Sequence, residues 1–217
     1  MRVAIVDSGV NFAHPHLQVP AEGVSLVGDG FDDPAGHGTC VAALVHWLAP
    51  DATLDAVRVL PADLRISGAE LARGIALAVE RGAAIVNVSI GTREPTHQDA
   101  LASAVEAARR QGALVVAAAL PGARSMLPAG LPGVVAVTPR FDGRLFAYEE
   151  RDWPSWSASG EARPYEGQRS NFRGPSMACA RVSGALARLA SEDVAPAALL
   201  AALQQIAGGT RGAPWSR

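Results

Sequence analysis

The sequence predicts an α/β fold of three layers, a mostly parallel central sheet with helices on both faces. Two observations carry that prediction. Short apolar runs of strand type alternate along the chain with segments whose apolar residues recur at helical spacing, and alternation of this kind means parallel strands joined through packed helices. Pro50, Gly82 and Gly112 punctuate the junctions. A chain of 217 residues, 49% hydrophobic and 18% charged, is long enough to bury one large core and is ordinary for one globular domain.

The first element is the apolar run Val3 to Val6, a buried strand that ends at Asp7-Ser8-Gly9. His37 to Ala49 reads as a helix, because Val41, Leu44, Val45 and Leu48 share one face. Leu54 to Leu60 is the next strand. Ser67 and Glu70 form a capping-box pattern ahead of Leu71, Ile75 and Ala78, so a helix starts there and stops at Gly82. Ala84 to Ile90 is another strand, and Leu101, Ala104, Val105 and Ala108 mark a third helix that Gly112 ends. Leu114 to Ala119 and Val134 to Thr138 are further strands. From Arg140 to Arg173 the periodicity breaks down around Trp153, Pro154 and Trp156, which predicts irregular loop or short antiparallel hairpins. Helices resume over Ser176 to Ala190 and Pro196 to Ile206. Residues 1–207 make one domain, and 208–217 are expected to form a flexible tail.

The bulk properties exclude several classes. The net charge is −2 and every basic residue is arginine, which gives no electrostatic case for nucleic acid or an anionic membrane. No apolar stretch approaches the roughly 20 residues of a membrane span. Met1 opens onto strand-type sequence without a signal-peptide pattern, and Cys40 and Cys179 are too few for a disulfide framework, so a cytoplasmic location is expected. No metal and no cofactor are expected. The His and Cys spacing does not suit zinc, and Asp29, Asp32 and Asp33 read as a solvated loop rather than a calcium site. His14 and His16 read as structural, His46 and His97 as surface residues.

Three segments carry chemistry: Ile5-Val6-Asp7-Ser8-Gly9, Gly36-His37-Gly38-Thr39 and Gly174-Pro175-Ser176-Met177-Ala178. An acid ending a strand, a histidine opening a helix and a serine opening another are the parts of a hydrolytic triad. Each residue alone is a common turn or cap residue; together they point to catalysis. In this order, on an α/β frame, the segments resemble the subtilisin family over nearly the whole chain. The resemblance implies a subtilisin-like fold, with Asp7, His37 and Ser176 as catalytic residues. It also implies substrate pairing along Ser89, Ile90 and Gly91, a pocket bordered by Ala118, Ala119 and Leu120, and an oxyanion donor in the backbone N–H of Ser176.

The chain departs from that pattern where the family's oxyanion-hole Asn is expected. Pro121 stands there, with neither a side-chain donor nor an N–H. Leu120 replaces a pocket glycine, and Pro175 replaces the threonine before the serine. The expected function is a serine endopeptidase of narrow specificity that processes a peptide or protein substrate. The alternatives are a weak or inactive peptide-binding pseudopeptidase and an acyl-transferring peptide ligase or cyclase. A partner protein that completes the site stays open.

Overall fold

The computed structural model describes residues 1–61, 63, 65–142, 146–149, 155–165, 172–191 and 198–208. Trp153, Pro154, Pro196 and the tail from 209 onward lie outside the described residues. The strands are β1 (Arg2–Asp7), β2 (Gly23–Ser25), β3 (Thr53–Arg58), β4 (Ile85–Val88), β5 (Leu114–Ala118), β6 (Val135–Arg140), β7 (Phe146–Glu149) and β8 (Ser155–Ser159). The helices are α1 (His37–Leu48), α2 (Gly68–Glu80), α3 (Gln98–Arg110), α4 (Pro175–Ser191) and α5 (Leu199–Ala207).

The strands form one sheet in the order β2-β3-β1-β4-β5-β6-β8-β7. Every described pairing is parallel except β7 with β8. Side chains alternate across the sheet, as a strand's period of two requires. Val3, Ile5, Val116, Ala118, Val135 and Val137 face a core built with α1, α4 and α5. Ala4, Val6, Val115, Ala117 and Ala136 face a second core built with α2 and α3. These two cores make the layers that the alternation of elements predicts.

A local rule sets the start of α2. Ser67 Oγ accepts from the Glu70 N–H at 3.2 Å, and Glu70 Oε2 accepts from the Ser67 N–H at 2.9 Å, so both halves of the capping box open α2. On α3 the four residues with helical spacing are the buried ones. Burial of Leu101 and Val105 contributes roughly 1.5–3 kcal/mol each.

The structure adds two strands. β2 is three residues long, too short to leave a periodic signal. β8 lies in the stretch expected to be irregular. Its hairpin with β7 matches that expectation, but β8 also extends the parallel sheet beside β6. Trp156 and Ala158 bury into the α1–α4 core between serines, an alternation weaker than the apolar runs of the central strands. His46 and His97 are each partly exposed. A Cβ on Gly68 would meet the His97 side chain at 2.3 Å, so His97 packs tightly against the start of α2.

β1 and β4 are neighbours whose following helices lie on opposite faces, α1 on one and α3 on the other. Such a switch in connection opens a crevice at the carboxyl ends of the strands. The register Val6↔Val88 brings the end of β1 beside the segment after β4.

Candidate active site

Asp7 is the last residue of β1 and is fully buried. Its Oδ1 accepts from the Ser8 N–H at 2.7 Å and lies 2.7 Å from His37 Nδ1. Its Oδ2 is buried without a hydrogen-bond partner. His37 is the first residue of α1, after Gly36 at φ 77°. The strand end and the helix start approach so closely that a Cβ on Gly38 would lie 2.1 Å from the Gly9 carbonyl oxygen. The Phe172 ring closes over the imidazole, edge to face, with centroids 5.2 Å apart.

Burial disfavours the charged imidazole of His37. The Asp7 charge and hydrogen bond, helped by the Asp33 charge, outweigh that effect and hold the pKa above its ordinary value.

Asp33 belongs to this site rather than to a solvated loop. Its Oδ1 accepts from the Ser8 hydroxyl at 2.8 Å and from the Gly36 N–H at 2.8 Å. Its Oδ2 accepts from the Thr39 N–H at 2.8 Å and the Thr39 hydroxyl at 2.7 Å. One carboxylate therefore satisfies helix-start donors of α1 and ties them to the residue after Asp7. Among the described residues no group of three or more His, Cys, Asp or Glu is arranged to hold a metal ion.

Ser176 is the second residue of α4 and is half-buried. Its hydroxyl donates to the Ser89 carbonyl oxygen at 3.2 Å. Beneath it, Ser89 Oγ donates to Asn87 Oδ1 at 3.0 Å, and Asn87 Nδ2 donates to Cys179 Sγ at 3.2 Å and Ser183 Oγ at 2.9 Å. This polar seam joins β4 to α4 and sets the height of Ser176 over the sheet. The Cys179 thiol is buried and its pKa is pushed up to about 12, which leaves it a core residue and not a nucleophile.

Asp7, Ser89 and the starts of α1 and α4 thus meet at one end of the sheet. The other expected residues divide. Ile90 and Gly91 follow Ser89 beyond the end of β4 and are more open than it. Ala118 and Ala119 are buried and expose almost no surface to a ligand in this structure. Leu120 is 41% exposed. Pro121 lies in the turn that follows β5. Thr92 N–H donates to the Leu127 carbonyl at 2.9 Å, and Leu127 N–H returns a bond to Thr92 at 2.8 Å. Met126 is thereby laid on Gly91, where a Cβ would meet Met126 Cε at 2.4 Å.

A model of the subtilase family matches residues 1–210. The chain belongs to the subtilase family. It is 30% identical to the thermophilic serine proteinase of Bacillus sp. (strain AK1), over 97% of this chain and 57% of that protein. It therefore spans little more than half of that relative's length. Its fold matches a cold adapted subtilisin-like serine proteinase with a TM-score of 0.75, at 24% identity, over 94% of this chain and 81% of that one. It matches the protease domain of PatA with a TM-score of 0.68, at 30% identity, over 89% of this chain and 80% of that one.

Four residues of this subtilase were not singled out as site residues by sequence. A buried polar residue in an apolar strand requires partners, so Asn87 was the most legible of them. Asp33 sits four residues ahead of His37, at capping distance from its helix. Met126 and Phe172 come from loops and carried no sequence signal. Among the described residues no helix is long and apolar enough to cross a membrane.

Proposed function

We propose that this chain is a serine endopeptidase that cleaves after small residues and turns over slowly. The observation that carries the reading is the 2.7 Å contact between buried Asp7 and His37, at the end of the sheet where Ser176 opens α4 and donates to the Ser89 carbonyl. In this mechanism the Ser176 hydroxyl leaves the Ser89 carbonyl by a side-chain rotation and meets the His37 Nε2. His37 takes the proton as Ser176 Oγ bonds to the scissile carbonyl carbon, then gives it to the leaving amine. Asp7 keeps the other imidazole proton on Nδ1 and stabilises the imidazolium. Water enters by the same base and releases the acyl group. The N–H of Ser176, at a helix start, donates to the oxyanion. An extended peptide lies along Ser89 to Gly91 by strand addition.

Two side chains support the preference for small residues. Leu120 projects from the turn after β5, and Met126 covers Gly91 from the opposite segment. In the proposed binding mode both would narrow the room left for the substrate side chain. That restriction suits the processing of a particular peptide better than general digestion.

A second reading, a peptide-binding pseudopeptidase, draws on Pro121 and on the Ser176 hydroxyl being turned to Ser89. Digestion of a peptide library, read by mass spectrometry, separates the two. Cleavage after Gly, Ala or Ser that disappears in Ser176→Ala supports the peptidase. Cleavage after Phe or Tyr contradicts the pocket, and no cleavage favours the second reading.

A further inference from the structure

The chain turns just past the segment expected to pair with substrate. Thr92 Oγ1 accepts from the Glu94 N–H at 3.1 Å, which fixes the turn that carries Arg93 ahead of α3. The Thr92 N–H and carbonyl are both bonded to Leu127, at 2.9 and 2.8 Å, so that edge of the segment is closed. Successive residues of an extended segment direct their backbone groups to opposite edges. Gly91 therefore offers its N–H and carbonyl to the other edge, where a peptide can add.

A cleft of about 250 Å³ opens beside this turn, lined by Arg93, Gln98, Arg124, Ser125, Leu127 and Leu131 among others. At about 30 Å³ per water, it has room for a side-chain carboxylate and its hydration. Both arginines are exposed, and the backbone at each is fixed. Thr92 holds the turn at Arg93. A Cβ on Gly130 would lie 1.9 Å from the Arg124 carbonyl oxygen, so the loop that carries Arg124 is closed tightly on itself. Arg93 makes no side-chain hydrogen bond or ion pair among the described residues. Gln98 and Ser125 add neutral donors, and Gln98 opens α3, whose first N–H groups have no side-chain cap. The acids nearest in sequence, Glu94 and Asp99, are exposed and do not line the cleft.

We propose that this cleft binds an acidic side chain of the substrate, with Arg93 and Arg124 as specificity-determining residues. Such a preference rests on the peptidase reading above and defines its substrates as peptides with Asp or Glu ahead of the small residue at the cleavage site. Ser176 lies at the Ser89 end of the pairing segment. Arg93 is four residues farther along, at most about 14 Å of extended chain. An extended substrate rises at the same pitch, so the acidic residue falls three to five positions before the cleaved bond. Arginine suits the role because its planar fork takes both oxygens of one carboxylate.

The test is cleavage of peptides that share an Ala at the cleavage site and carry Glu, Gln or Lys at one position, from two to six residues ahead of it. Native protein should prefer Glu to Gln by about fivefold or more in kcat/KM at a position between three and five, through KM, and the preference should weaken as salt rises. In Arg93→Gln with Arg124→Gln the Glu/Gln ratio should fall to about one. In Arg93→Glu with Arg124→Glu the preference should pass to Lys. A native ratio of about one at every position, or a Glu preference that survives Arg93→Gln with Arg124→Gln, overturns the proposal. Absence of cleavage of every peptide tells against the peptidase reading instead, and the cleft is then read by fluorescence anisotropy of the labelled peptides on Ser176→Ala protein. Tighter binding of the Glu peptide, lost when both arginines are Gln, supports the proposal; equal affinity for the Glu and Gln peptides overturns it.

Discussion

Asp7→Asn tests the proposed charge arrangement around His37 directly. Asp7 Oδ1 accepts from the Ser8 N–H at 2.7 Å, and that donor requires an oxygen at this position. The asparagine therefore keeps its carbonyl oxygen toward Ser8 and His37 and places its NH2 where Oδ2 now lies. The imidazole keeps its tautomer and loses its counter-charge. Two unit charges about 4 Å apart at an effective dielectric of about 20 interact by about 4 kcal/mol, which corresponds to about 10³ in rate. The pH profile moves as well. Native kcat/KM should rise through a midpoint above about 6.5, because Asp7 and Asp33 raise the His37 pKa against burial and the base works when neutral. Without the Asp7 charge, burial dominates and the midpoint should fall. Stability follows the same linkage. A raised pKa means protonated His37 favours the folded state, a contribution fully present below the unfolded value of about 6.5 and lost as pH rises through the folded value. The buried NH2 lacks an acceptor, which costs about 1–3 kcal/mol, so a melting curve must first show that the variant is folded at the assay temperature. A folded variant with a plateau rate within about threefold of native would refute this reasoning. So would a midpoint that stays or rises.

Three further outcomes are expected. Leu120→Gly and Met126→Gly should each broaden cleavage toward larger side chains, since each pocket methylene is worth about 1–3 kcal/mol; peptide-library specificity reads this. Leu120→Gly with Pro121→Asn should raise kcat on a small-residue peptide by up to about 10²–10³, a figure that belongs to the oxyanion donor of subtilisin itself, and an unchanged kcat would mean that another donor fills the hole. Arg81→Met should lower stability by about 3 kcal/mol in urea unfolding, because it strips a bidentate partner at 2.7 and 2.8 Å from fully buried Asp55 and leaves Arg2 at 4.0 Å.

The parts of this molecule legible in sequence are those governed by local rules. Apolar runs and helical spacing gave the central strands and the buried faces of α1 and α3, and the Ser67–Glu70 pair marked the start of α2. The positions of Asp7, His37 and Ser176 at element ends were legible, because short motifs mark the chain there. The misread parts depend on distant partners. Asp33 looks like one acid of a solvated loop until Ser8, Gly36 and Thr39 fold around it. β8 is stabilised by pairing with β6 and by Trp156 in the core, not by its own composition. Met126 reaches Gly91 only because Thr92 and Leu127 pair across two loops.

The central claim is that Ser176 is a nucleophile activated by His37. Labelling with a fluorophosphonate, read by intact mass and peptide mapping, tests it without knowledge of the substrate. The account predicts one adduct on native protein, located on Ser176, none on folded Ser176→Ala, and slowed labelling of Asp7→Asn. No adduct on the native chain, or an adduct that persists in Ser176→Ala, would contradict it.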